Sequence, residues 1–118
     1  MTRKTTSKTS KTTQTAQAPI NLIYFAKKVM EVARWAPESV KFGPNKVYIN
    51  KAWELGFKGQ MSLEQFKEYL KQAHVQGLLY LSRADLVKVM NQEWLKLSRI
   101  HLVPGSDIVG VVEFILIV

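Results

Sequence analysis

Residues 62–86, reading SLEQFKEYLKQAHVQGLLYLSRADL, constrain the fold more than any other part of this chain. Ser62 followed by Gln65 is a capping-box pattern: the hydroxyl accepts an early helical N–H, and the glutamine side chain reaches back to the cap. Leu63, Phe66, Leu70 and Ala73 then recur at helical spacing and form an inner stripe. Gly77 suits the helix stop, because it enters the left-handed conformation without a Cβ penalty. Residues 78–81 predict a short buried strand. Ser82 and Asp85 repeat the capping logic for a further helix holding Leu86, Val87 and Met90, with Trp94 at or just past its end.

The flanking sequence extends this pattern. Residues 20–36 place Leu22, Ile23, Phe25, Ala26, Val29, Met30, Ala33 and Ala36 at helical spacing, and Pro37 ends the run. Phe42, Gly43, Pro44 and Asn45 form a turn cluster, followed by a strand candidate at residues 46–49. Asn50 is placed to cap a brief helix through Trp53 and Leu55, stopped by Gly56 or Gly59. Residues 96–103 and 108–118 read as the arms of a hairpin around Pro104, Gly105, Ser106 and Asp107. Trp35, Trp53 and Trp94 fall in three helical regions and are expected to be core anchors.

The expected class is α+β: three to four helices with a C-terminal β-hairpin. In element order and length, residues 20–118 resemble the winged helix-turn-helix superfamily. That resemblance implies a DNA-binding domain, regulatory or architectural, whose third helix enters the major groove. The additional helix expected at residues 82–90 departs from the simplest pattern of that family.

Charge points to an anionic partner. Seventeen basic residues against nine acidic ones leave a net +8. Residues 1–19 hold Arg3, Lys4, Lys8 and Lys11 with no acid, which is +4 of that excess. Their Thr, Ser, Lys and Gln composition predicts a disordered basic arm able to follow phosphates. The longest apolar run, residues 108–118, is too short for a membrane-spanning helix, and no membrane association is expected. Absence of cysteine fits a reducing setting, cytoplasm or nucleoid and nucleus.

With its apolar stripe turned inward, the third helix turns Gln65, Lys71, Gln72 and Gln76 outward as candidate base contacts, since glutamine can pair with adenine and lysine with guanine or phosphate. Lys46, Lys67, Arg83 and Arg99 join the four arm cations as candidate phosphate contacts. Lys67 and Lys71 stand with Glu64 and Glu68, so the helix itself is neutral, as an ordinary solvated face would be. Catalysis is not expected: His74 and His101 stand far apart, no phosphate-cradling glycine loop or nucleophile motif occurs, and neither metal nor cofactor is implied. Two further partners compete with duplex DNA. One is a protein, or a second copy, joined through the apolar residues 108–118; the other is RNA, stacked on exposed tyrosine or phenylalanine.

Overall fold

The computed structural model describes residues 21–106 and 110–118. Helix α1 (Leu22–Trp35) starts where the Asn21 side chain accepts the Tyr24 N–H at 3.1 Å, satisfying one of the orphan donors of a first turn. It ends before Pro37. Its buried face, Phe25, Ala26, Val29, Met30 and Ala33, packs on α2 (Ile49–Gly56) and α3 (Leu63–Val75). Phe25, Phe57 and Phe66 meet where the three helices converge, with ring centroids 4.8–5.8 Å apart. Tilted and edge-on aromatic pairs of this kind contribute about 0.5–1.5 kcal/mol each beyond area burial.

Two sheets close the other side. Strands β1 (Lys46–Tyr48), β2 (Tyr80–Ser82) and β5 (Phe114–Leu116) form an antiparallel sheet in the order β1-β5-β2. Strand β5 is therefore central, with Phe114 and Ile115 fully buried. Its register aligns Ile115 with Val47 on one side and Leu81 on the other. Strands β3 (Ile100–His101) and β4 (Val111–Val112) form a separate two-residue ladder. Gly110 turns into β4 at φ 73°, and a Cβ there would lie 2.7 Å from Val103 Cγ2.

Several expectations hold. Ser62 Oγ accepts the Gln65 N–H at 3.1 Å, and the inner stripe Phe66, Leu70 and Ala73 is buried. Gly77 ends α3 at φ 75°; its N–H reaches the His74 carbonyl while the Leu78 N–H reaches that of Ala73, the paired bonds of a Schellman stop. Residues within 108–118 include the expected buried strand.

Others are corrected. No α-helix spans 82–90: Ser82 is drawn into β2 opposite Phe114, and only a 3₁₀ turn, Val87–Val89, follows. The fourth helix, α4 (Gln92–Ser98), lies further on, where Asn91 Oδ1 accepts the Trp94 N–H at 3.0 Å. It takes residues 96–98 of the hairpin arm expected at 96–103, and only Ile100 and His101 pair with β4. Asn50 does not cap α2 with its side chain; it lies inside the helix, buried, and Tyr48 holds the cap position. Trp35 is not a core anchor but 84% exposed, since it sits across the helix from Ala33. Trp53 and Trp94 are half-buried: Trp53 Nε1 donates to the Met61 carbonyl at 2.8 Å, and Trp94 meets the Tyr48 ring edge-on at 5.1 Å. Strand β5 is paired on both edges, with β1 and with β2, so a partner strand could join it only by displacing one of them. The arm of residues 1–19 and the turn residue Asp107 lie outside the described residues.

Candidate nucleic-acid interface

Helix α3 is held at both ends, by Ser62 and Gly77, so the direction of its outer side chains is set by helix geometry. With Phe66, Leu70 and Ala73 inward, a period of 3.6 places Glu64, Glu68 and Val75 on the outer crest. Lys67 and Lys71 fall one turn apart on one flank. Gln65 and Gln76 fall on the other, and Gln72 lies between crest and flank with its Nε2 donating to Glu68 Oε2 at 3.2 Å. The four expected base contacts therefore do not share one narrow face.

The Lys67–Lys71 flank borders β3. Together they enclose a shallow cleft lined by Glu64, Lys67, Glu68, Lys71, Arg99, Ile100 and His101. Three expected contacts, Lys67, Lys71 and Arg99, are thus brought together from distant parts of the chain. Lys67 is held through most of its length: its side chain is 16% exposed, and its Nζ is 3.8 Å from Glu64 Oε2. Burial, opposed by Glu64 and reinforced by the positive charge of Arg99, keeps its ammonium below the usual lysine range. Arg99 Nε is 3.6 Å from Oε2 of Glu113, a buried carboxylate whose other oxygen accepts the Ala84 N–H at 2.9 Å. No carboxylate lies within ion-pair distance of Lys71 among the described residues. An anion entering this cleft meets Lys67, Lys71 and Arg99 beside two carboxylates, Glu64 and Glu68. Of the three cations, Lys71 alone has no carboxylate within ion-pair distance among the described residues.

The other expected phosphate contacts lie elsewhere. Lys46, on β1, points to the segment after β2: its Nζ donates to Asp85 Oδ2 at 2.7 Å and to the Arg83 carbonyl at 3.2 Å. The hydrogen bond and charge of Lys46 hold the exposed Asp85 carboxyl below its ordinary range. Arg83 is exposed beside this pair and does not line the α3–β3 cleft. Arg3, Lys4, Lys8 and Lys11 lie outside the described residues. Lys51, a further cation, pairs with Glu54 at 3.1 Å and stands 4.3 Å from the Trp94 ring centre.

Two polar features were missed from sequence. Ser98 Oγ accepts the Asn50 backbone N–H at 2.9 Å and donates to Asn50 Oδ1 at 2.8 Å, both residues being buried. The first turn of α2 is thereby capped by α4 rather than by its own preceding residue. His74 Nδ1 accepts the Leu81 N–H at 3.2 Å, tying α3 to β2. The Ser98 role rests on a partner 48 residues away, which local pattern does not reveal.

Compared with protein-family models, curated proteins and solved structures, the chain matches none. Among the described residues, no helix is long and apolar enough to cross a membrane.

Proposed function

We propose that this chain is a winged-helix-like, non-enzymatic DNA-binding module that meets duplex phosphates through the α3–β3 cleft. The order α1-β1-α2-α3-β2-β5, with β5 central, supports the winged-helix reading. The chain between β2 and β5 takes the place of a wing, and here it carries α4 and the β3–β4 ladder. The observation that carries the functional reading is the convergence of Lys67, Lys71 and Arg99 around one cleft beside the third helix. Cations that converge beside a recognition helix suit backbone phosphates, the contacts that fix a protein's register on a duplex.

The proposed contacts divide by chemistry. Lys71 is the primary phosphate contact. Lys67 and Arg99 give up part of their carboxylate pairing to share an incoming anion. Gln72 and Gln76 approach base edges, and the crest acids Glu64 and Glu68 restrict how closely neighbouring phosphates pass. The arm cations add attraction that is independent of base sequence. Regulation of transcription or DNA architecture follows as the role of such a module.

Fluorescence anisotropy with a labelled duplex, competed by unlabelled duplex or single-stranded RNA, tests the proposal. Duplex competes and Lys71→Glu weakens binding while leaving the melting temperature unchanged. Stronger competition by RNA, or no binding at low salt by folded protein, refutes it.

A further inference from the structure

A second surface lies on the far side of α1 and shares no residue with the α3–β3 cleft. Tyr24 is 68% exposed and Trp35 84% exposed. They lie on one outer stripe of the helix, about three turns apart. Beside them Ile23, Leu78 and Val118 line a groove of about 770 Å³, a size that accepts buried anchor side chains. Arg34 Nη2 donates to the Val118 carbonyl at 3.0 Å, which holds the chain after β5 along the groove. Large apolar side chains left this exposed and contiguous mark an interaction site more often than idle surface.

Charge decides what covers it. Lys27, Lys28 and Arg34 border the groove against the single carboxylate Glu31, a local excess of +2. Two copies meeting through this face would oppose like charges. The basic arm of residues 1–19, at +4, would be repelled as well. A nucleic-acid strand stacked between Tyr24 and Trp35 would leave the aliphatic groove beside them unfilled. We propose that the outer face of α1 docks an acidic amphipathic segment of another protein, its apolar anchors on Trp35 and in the Ile23–Val118 groove, its carboxylates on Lys27, Lys28 and Arg34. Helix-in-groove recognition uses this combination, and tryptophan, tyrosine and arginine are the side chains enriched among the residues that dominate such contacts.

Selection of a random peptide display library on the immobilised full chain, with Trp35→Ala as the counter-selection, tests this. Trp35 is exposed enough for the substitution to leave the fold intact, which a matching thermal melt checks. Enriched peptides are expected to pair Asp or Glu with two apolar anchors. Their affinity should fall about tenfold or more in Trp35→Ala and in Lys27→Glu/Lys28→Glu, and stay unchanged in Lys71→Glu. Four results would overturn the proposal: no Trp35-dependent enrichment, enrichment of neutral or basic peptides, Trp35-dependent dimerisation in sedimentation, or loss of oligonucleotide binding in Trp35→Ala.

Discussion

Ser98→Ala isolates the contact that joins the inserted helix α4 to the helical core. The Ser98 hydroxyl is fully buried and makes two hydrogen bonds to Asn50, accepting from its backbone N–H and donating to its Oδ1. Alanine removes both hydrogen bonds at once and leaves the two Asn50 groups in place. The Asn50 N–H belongs to the first turn of α2 and has no acceptor within its own helix. Each buried polar group left without a partner costs about 1–3 kcal/mol, so a total of about 2–6 kcal/mol is expected for the two. For a domain of this size, that lowers the melting temperature by about 10 °C or more. Urea denaturation followed by circular dichroism measures the loss, and an unchanged m value confirms that the unfolded reference is preserved. Ser62→Ala provides the scale, because that cap is exposed and its removal costs about 1 kcal/mol. If Ser98→Ala costs no more than Ser62→Ala, the bond between α2 and α4 is not a structural lock and the reasoning fails.

Three further outcomes follow. The carboxyl of Asp85 is lowered by Lys46, so its contribution to stability is present above its unfolded value of 3.8 and is lost as pH falls through the lower folded value; thermal melts of wild type and Asp85→Asn should differ slightly at neutral pH and converge in strong acid. Lys67 behaves oppositely: its folded ammonium releases its proton before the unfolded chain does, so stability rises with pH between the folded value and 10.5, and Lys67→Gln should abolish that rise in urea titrations. Gly110→Ala forces a side chain into a left-handed residue and against Val103, whose backbone nitrogen is 3.2 Å from the new Cβ; a loss of about 1–3 kcal/mol in the same titrations is expected, and a neutral result would contradict the turn geometry.

What was legible in the sequence was local. The cap at Ser62, the stop at Gly77 and the inner stripe between them depend on residues a few positions apart, and all three stand in the structure. Ser82 shows where local pattern fails: it has a cap signature, but Phe114 offers it a strand partner, and the long-range ladder prevails. Asp85, the other half of that signature, goes to Lys46 instead. Asn91 carried a real cap signal four residues after Val87, obscured because Leu86, Val87 and Met90 suggested an earlier helix. Trp35 was readable in principle, since its position opposite Ala33 on the helix places it outward; its size alone suggested burial. The candidate cleft was half legible. Lys67, Lys71 and Arg99 are each candidates from sequence, yet only the β3–β4 ladder brings Arg99 to α3.

The salt dependence of duplex binding for wild type and Lys71→Gln tests the central claim most directly. Lys71 has no carboxylate partner among the described residues, so its replacement removes a phosphate contact without breaking an ion pair. Plotting the logarithm of the binding constant against that of salt concentration should give a negative slope that becomes shallower by about 0.9 in the variant. An unchanged slope and affinity, with both proteins folded, would contradict a phosphate-binding role for the α3–β3 cleft.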